Sequence, residues 1–225
     1  MTSNLINNDR RQLLNDYVLT EQIGSGSFGE VYLARYKTGG YDAVKVEERK
    51  KSNRIYNEYK IYVYLHRHGF DIGLPKIYDY LQTPDYNIMV MQLMGPSLDD
   101  IFNKHKKKFK LSTVLLLALQ IITLMEQLHG AEYIHRDIKP NNFLIGRNQN
   151  KHQVYIMDFG LSKKYVIDDK HIKYRDGRSL IGTARYASVN MHMGIEPARR
   201  DEMESIGYMF VYFLKGILPW QGIKK

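Results

Sequence analysis

Residues 133–144 read YIHRDIKPNNFL, and Asp158-Phe159-Gly160 follows Asn142 after sixteen positions. Asp137 can accept a hydrogen bond from an incoming hydroxyl group, while Asn142 offers an amide oxygen to a magnesium ion. Lys139 carries a positive charge that can neutralise a transferred phosphoryl group. A lone His-Arg-Asp is usually a surface salt-bridge cluster and a lone Asp-Phe-Gly is usually a turn. Found together in this order, the two motifs predict a catalytic loop followed by a cation-binding aspartate.

The sequence between the two motifs predicts a small hairpin. Residues 142–145 and 153–157 are strand-like, and the turn-forming residues 146–148 lie between them. The hairpin folds the second strand back beside Asn142, so Asp158 can join Asn142 around a hard cation that prefers oxygen ligands.

A glycine-rich run, IGSGSFGEV, occupies residues 23–31. Its G-x-G-x-x-G pattern lets backbone approach phosphate groups closely. The dinucleotide-binding version of this pattern needs a helix directly after the glycines, whereas residues 30–34 read as a strand, which disfavours that fold. An ordinary glycine-rich hairpin would need no lysine further along the chain.

Two charged residues stand in apolar surroundings. Lys45 lies inside the strand-like run AVKV, residues 43–46, where an ammonium group is unfavourable unless an anion answers it. A lysine that extends its head to water is the plain alternative. Glu58 falls in an apolar stripe with Ile55, Tyr62 and Leu65 on the predicted helix 53–65. Pairing of Lys45 with Glu58 would explain both and would direct the ammonium group towards nucleotide phosphates.

The order of the predicted elements indicates an α+β fold with two parts. Strands are predicted at 17–23, 30–35, 41–47 and 87–92, as in an antiparallel meander, before the change of texture at residues 95–97. Helices dominate afterwards: 112–129, capped by Ser112 and expected to be buried, and 202–215, which ends before Gly216. We therefore expect an extension at 1–16, a β-rich lobe at 17–94 and an α-rich lobe at 95–225.

Composition narrows the class of protein. The 225 residues are 44% hydrophobic and include no cysteine, which excludes disulfides, thiolate metal sites and a cysteine nucleophile. The first residues lack a signal-peptide pattern, and the apolar stretch 114–125 is shorter than the roughly 20 residues that span a bilayer. The net charge of +9 favours an anionic partner, and residues 158–200 hold nine Lys/Arg against five Asp/Glu.

Four segments resemble the casein kinase I family of serine/threonine kinases: IGSGSFG at 23–29, MQLMGPSL at 91–98, TVLLL at 113–117 and GTARYASVN at 182–190. The last is the most specific, because ASVN at 187–190 stands where most protein kinases carry Ala-Pro-Glu and is similar to the Ser-Ile-Asn of this family. The resemblance covers residues 17–222 and implies a two-lobed kinase fold, with a β-rich N-lobe and an α-rich C-lobe.

The resemblance also implies a set of roles. ATP and Mg2+ are the expected cofactors, with Asn142 and Asp158 on the metal, and Asp137, Lys139, Lys45 and Glu58 as catalytic residues. Thr183 is expected to contact Asp137 and Lys139, and Arg178 and Arg185 to bind acidic or phosphorylated protein substrates. The alternative is that the two arginines only anchor the activation segment in which they lie. The residues expected around the nucleotide are Ile23, Gly24, Gly26, Gly29, Val31, Ala43, Lys45, the gatekeeper Met91, the hinge Gln92, Leu93 and Met94, and Leu144.

Three positions depart from the family pattern. Asn141 stands where relatives often carry Asp. Glu202 replaces the Asp that braces the catalytic loop, and the longer side chain is expected to brace it less well. The chain ends at Lys225, where the family's domain continues through further helices, so we expect the α-rich lobe to lack its last helices.

Two other functions remain open at this point. A shortened kinase could bind nucleotide as a weakly active or inactive scaffold. The basic stretch NKHKKKFK, residues 103–110, could bind nucleic acid, but its position between two helices and its single aromatic residue favour a solvated loop. We expect a monomer in the cytoplasm, and also in the nucleus, with protein substrates, no membrane and no specific nucleic acid.

Overall fold

The computed structural model describes residues 16–26, 29–50 and 53–222. Most of the predicted extension 1–16, and Ser27 and Phe28 of the glycine run, lie outside these residues. The chain divides into two compact units, one formed by Met1–Val63 and Pro75–Met94, the other by Tyr64–Leu74 and Gly95–Lys225. The predicted domain boundaries at 16/17 and 94/95 stay a prediction.

A five-stranded antiparallel sheet builds the first unit. Its strands are β1 (Tyr17–Gly26), β2 (Gly29–Tyr36), β3 (Tyr41–Glu48), β4 (Ile77–Gln82) and β5 (Tyr86–Met91), in the order β1-β2-β3-β5-β4. The order is not the simple meander expected, because β5 inserts between β3 and β4. Strand β4 was not predicted: Asp79 interrupts its alternation, and its pairing with β5 is irregular between Ile77 and Asp79.

Alternation along the strands gives the sheet two different faces. One face buries an apolar cluster that includes Val44 and Val46 of β3 together with Tyr32, Ile88 and Val90. The residues between them in β3, Ala43, Lys45 and Glu47, point to the opposite face. That face therefore carries Lys45 and Glu47 of β3.

Helix α1 (Arg54–Arg67) is capped by Glu47, a residue of strand β3. The Glu47 carboxylate accepts hydrogen bonds from the backbone N–H groups of Arg54 and Ile55, each at 3.2 Å, which satisfies two unpaired donors at the helix N-terminus. Asn87 donates to the same carboxylate at 3.3 Å. The predicted stripe is buried along its whole length, with Ile55, Tyr62 and Leu65 at 0% and Glu58 at 1% exposure.

Helices dominate the second unit, and short strands connect them. Its α-helices are α2 (Leu98–Lys104), α3 (Leu111–Gly130), α4 (Val189–His192) and α5 (Arg199–Lys215). Its strands pair two by two: β6 (Tyr133–Ile134) with β9 (Lys163–Lys164), β7 (Phe143–Ile145) with β8 (Val154–Ile156), and β10 (Val166–Ile167) with β11 (Lys170–His171). The two units together confirm the predicted α+β class.

Helix α3 corrects two expectations. Its cap is the extended residue Lys110, with no side-chain hydrogen bond, so Ser112 lies inside the first turn. Only one stripe is buried, whereas Leu115, Leu116 and Leu119 on the outer side are 56%, 64% and 69% exposed. By length and composition this helix could cross a membrane, with a mean hydropathy of 1.7 and 28% of its apolar window buried. A single such helix is weak evidence, because core helices pass the same test.

Helix α5 forms the core of the second unit. It starts three residues before the predicted position and ends at Gly216, whose left-handed conformation (φ 82°) terminates it as expected. Its apolar face buries Ile206, Met209 and Phe213. The rings of Phe213 and Phe102 pack against each other with their centroids 5.2 Å apart and their planes tilted by 60°, which joins α5 to α2.

Candidate active site

The predicted site residues fall into two groups, one in each unit. In the first unit, cross-strand pairing places Val31 opposite Gly24 and Lys45, and Ala43 opposite Met91. Directly paired residues point to the same side of a sheet, so these five residues share one face. This face brings together a glycine, three apolar side chains and one ammonium group, a combination that suits a base and its phosphates.

The remaining predicted residues of this unit lie at the edges of that face. Ile23 is 46% exposed at an irregular position of β1, and Gly26, the last residue of β1, pairs with Gly29, the first residue of β2. Gly29 has a φ of 113°, and a β-carbon there would overlap the carbonyl oxygen of Val46. The segment after β5, Gln92 to Met94, begins with a hydrogen bond from the Gln92 backbone to the Lys76 carbonyl at 2.8 Å.

The predicted pairing of Lys45 with Glu58 is present. Lys45 Nζ lies 2.6 Å from Glu58 Oε2, and the side chains are only 10% and 2% exposed. A lysine that extends its head to water would show a much larger exposed fraction, so this alternative is wrong. The carboxylate of α1 therefore fixes a buried ammonium group on β3.

In the second unit, the catalytic loop surrounds Asp137 with donors. Lys139 Nζ donates to Oδ2 at 2.6 Å, and Thr183 Oγ1 donates to Oδ1 at 2.7 Å. Asn142 Nδ2 donates to the Asp137 carbonyl oxygen at 2.8 Å. The contact of Thr183 with Asp137, expected from the family resemblance, is thus formed, and Lys139 binds the other oxygen of the same carboxylate.

These donors change the ionisation of Asp137. Burial raises the pKa of the Asp137 carboxyl, but the hydrogen bonds from Lys139 and Thr183 and the charge of Lys139 outweigh it, so the pKa lies below the ordinary value. The carboxylate therefore stays ionised near neutral pH. An ionised carboxylate can accept and orient a hydroxyl proton.

The hairpin of β7 and β8 positions the predicted cation ligands. Phe143 pairs with Ile156, and the backbone N–H of Met157 donates to the Asn142 carbonyl at 2.9 Å, which sets Asp158 next to Asn142 in the fold. The Asn142 amide nitrogen is used on Asp137, so its oxygen is the atom left to face a cation. Leu144 lies in β7, half-buried.

An amide oxygen and a carboxylate are hard ligands that suit Mg²⁺, which also takes oxygens from substrate phosphates and water. Among the described residues no three His, Cys, Asp or Glu side chains cluster as a metal site. The residues therefore fit a metal held jointly with a phosphorylated ligand, and do not fit a metal enclosed by protein alone.

Glu202 braces the catalytic loop, contrary to the expectation for this longer side chain. Its Oε1 accepts from the backbone N–H of Arg136 at 2.6 Å, and its Oε2 lies 2.8 Å from His129 Nε2. Arg136 has a φ of 67°, a conformation that costs about 1–2 kcal/mol for a residue with a side chain. Glu202 is 2% exposed, and the role of His129 beside it could not be found from local sequence.

The segment 187–190 is anchored by an aspartate that sequence reasoning missed. Asp201 is fully buried, and its Oδ1 accepts from Ser188 Oγ at 2.7 Å and from Asn190 Nδ2 at 3.2 Å. Its Oδ2 accepts from the Ala198 backbone at 2.8 Å. The unusual serine and asparagine of this segment therefore bind the N-terminal turn of α5. The sequence signal that could have identified Asp201 is the acidic pair at 201–202, which lies between two arginines and an apolar run.

The two predicted substrate-binding arginines occupy different surroundings. Arg178 Nε lies 3.2 Å from Glu196 Oε2. The Arg185 guanidinium lies over the rings of Tyr186 and Tyr212, at 5.9 and 5.8 Å from their centroids. Arg185 also lines an open groove of about 600 Å³ with, among others, His192, Trp220 and Gln221. Arg178 is thus already paired with a carboxylate, whereas Arg185 faces an open cavity.

The protein kinase domain model matches residues 17–225 of this chain. Members of this family are phosphotransferases that act on protein substrates with ATP and a divalent metal, generally Mg²⁺. The oxygen ligands Asn142 and Asp158 and the buried Lys45 fit that requirement. The match covers nearly the whole chain and agrees with the geometry of both groups of residues, so the chain belongs to the protein kinase family.

Proposed function

We propose that this kinase transfers the γ-phosphoryl group of ATP to serine and threonine hydroxyls, and that it is a casein kinase I-like enzyme. The observation that carries the proposal is the contact of Lys139 and Thr183 with the two carboxylate oxygens of Asp137. Residues 182–190, GTARYASVN, add support because they hold both Thr183 and the serine and asparagine that bind Asp201.

Each residue has one task in the proposed reaction. Asp137 accepts a hydrogen bond from the substrate hydroxyl and orients its oxygen. Lys139, next to that carboxylate, stabilises negative charge on the transferred group. Lys45, held by Glu58, contacts the nucleotide phosphates. Asn142 and Asp158 hold the metal, which neutralises phosphate charge when it is bound.

We further propose a preference for acidic or phosphorylated substrates, with Arg185 as the main recognition residue. Arg185 is exposed and lines the open groove, two positions after Thr183 in the sequence, and its guanidinium can donate to a carboxylate or phosphate in a bidentate manner. Arg178 is 49% exposed but is already paired with Glu196, so we assign it a smaller part.

The test measures transfer of radiolabelled phosphate from Mg-ATP to casein and to three matched peptides. The peptides carry a serine with a phosphoserine upstream, the same serine without it, and a tyrosine in its place. We expect transfer to serine, and a decrease in kcat of about 10²–10⁴-fold in Asp137→Asn.

Arg185→Gln is the matched variant for substrate preference. We expect it to raise KM for the phosphorylated peptide and to leave KM for the unphosphorylated one unchanged. Equal transfer to tyrosine and serine would refute the serine/threonine assignment. Thermal stabilisation by Mg-ATP without any transfer would instead support a nucleotide-binding scaffold.

A further inference from the structure

A buried carboxylate lies among basic residues outside the reaction centre. Glu196 Oε1 accepts from Lys163 Nζ at 2.7 Å, and Arg178 Nε lies 3.2 Å from Oε2. The side chain of Glu196 is 4% exposed. Within the described part of the chain, Oε2 has no hydrogen-bond donor, so the contact with Arg178 is an ion pair only. One negative charge thus faces two ammonium or guanidinium groups directly.

The catalytic loop contributes a third positive charge. Burial lowers the pKa of Arg136, and the nearby charges of Glu196 and Glu202 act in the opposite direction. Burial raises the pKa of Glu196, but Lys163, Arg178 and Arg136 together lower it below the ordinary value. Glu196 is therefore ionised, and it compensates positive charge on the residue that directly precedes Asp137.

The partners of Glu196 stand at the two ends of one segment. Lys163 lies in β9, where it pairs with Ile134 just before the catalytic loop. Arg178 lies fifteen residues later, and its backbone N–H donates to the Gly194 carbonyl at 2.8 Å. The Glu196 backbone N–H donates to the Arg175 carbonyl, also at 2.8 Å. Glu196 thus connects the end of the segment with its start, which pairs with the strand that precedes the catalytic loop.

We propose that Glu196 is a positioning residue that supplies, from within the chain, the negative charge that holds Lys163 and Arg178, the two ends of residues 163–178, beside the strand that leads into the catalytic loop. An added phosphate group could provide such a charge, about −1.5 to −2 at neutral pH, to a cluster of basic side chains. Glu196 provides it permanently. The segment therefore keeps its catalytic arrangement without being phosphorylated.

The variants are Glu196→Gln, which removes the charge at nearly constant shape, and Glu196→Ala, which also makes room for an anion. Glu132→Gln is the matched control, because Glu132 pairs with the neighbouring Lys164 at 2.9 Å, with side chains 33% and 41% exposed. All proteins are treated with phosphatase, and intact mass confirms that they carry no phosphate.

The first readout is catalytic. In both Glu196 variants we expect kcat to fall about 10- to 100-fold, because a misplacement of about 1 Å away from the chemistry can cost about 10²-fold. KM for ATP is expected to stay within about twofold, since the nucleotide contacts are untouched. Inorganic phosphate or sulfate should restore part of kcat in Glu196→Ala, and should not raise it in the control.

The second readout needs no substrate, so it remains informative if the proposed substrate class is wrong. Lys173 and Arg175 are exposed, and trypsin should cut after them faster in both Glu196 variants than in wild type or control. Phosphate should slow cutting of Glu196→Ala. Three results would overturn the proposal: unchanged kcat and cutting rate in Glu196→Gln, damage to Glu196→Ala that phosphate does not reverse, or loss of wild-type activity after phosphatase treatment.

Discussion

Removal of one partner of the Lys45–Glu58 pair is expected to destabilise the kinase strongly. Glu58 is 1% and Lys45 8% exposed, and their charged atoms are 2.6 Å apart. Lys45→Met leaves the Glu58 carboxylate buried without the ammonium group of Lys45. Glu58→Gln leaves the Lys45 ammonium group buried without the carboxylate of Glu58. Breaking a buried pair in this way costs about 3–5 kcal/mol. In a chain of this length that corresponds to a decrease in melting temperature of about 6–20 °C.

The double variant Lys45→Met/Glu58→Leu separates the cost of an unpaired charge from the worth of the pair. Replacing both charges by apolar side chains is often neutral or stabilising. We therefore expect the free energy of unfolding of the double variant to lie within about 1–2 kcal/mol of the wild-type value. Its loss of stability should be much smaller than the sum of the losses in the two single variants. Its ATP affinity should still be low, because the lysine is absent.

The assay is urea unfolding followed by circular dichroism, combined as a double-mutant cycle. Additive losses in the double variant would show that the two side chains contribute to stability independently. That result, or a loss below about 1 kcal/mol in either single variant, would refute the argument from burial.

Two further predictions concern the catalytic loop. Gly182→Ala is expected to lose about 1–3 kcal/mol in urea unfolding and to lower kcat, because Gly182 has a φ of 81° and a β-carbon would overlap the Arg136 carbonyl oxygen. Gly177→Ala is its control, since φ is 64° there and no atom lies within 4 Å of the added carbon, so an equal effect of both would contradict the role of the overlap. Thr183→Val removes a hydrogen bond that lowers the pKa of Asp137. Because a lowered carboxyl pKa gives stability that is lost as pH falls through the folded value, below the ordinary 3.8, the variant should lose stability and activity at a higher pH in acid titrations than wild type; coincident acid curves would contradict this.

Local patterns were sufficient where a residue is surrounded by its sequence neighbours. The apolar stripe of α1 correctly predicted the burial of Glu58, since helical spacing alone decides which side chains share a face. The spacing of Asp137, Asn142 and Asp158 likewise followed from one hairpin. These features depend on short segments whose geometry is nearly fixed by residue type and distance along the chain.

Partners distant in sequence could not be read in the same way. Glu202 reaches Arg136 across 66 residues, and a comparison of side-chain lengths suggested a poorer fit than the 2.6 Å contact that forms. The predicted cap of α3 was wrong. Ser112 is a good helix cap by residue type, but the backbone is extended at Lys110, and the helix starts directly after that residue. The predicted burial of the outer leucines of α3 was also wrong, because an apolar composition does not reveal which neighbours a helix has.

Lys45 and Glu47 of β3 both hold helix α1, and this restricts how the chain can change in length in this region. Lys45 binds Glu58 in α1 while Glu47 caps the same helix, and both depend on pointing to one face of the strand. One inserted or deleted residue between them would turn one of the two side chains to the opposite face. A residue inserted in the preceding turn, at residues 39–40, would leave Lys45 and Glu47 two positions apart and therefore on one face. We therefore expect a change in length to be tolerated at residues 39–40 and not between residues 45 and 47.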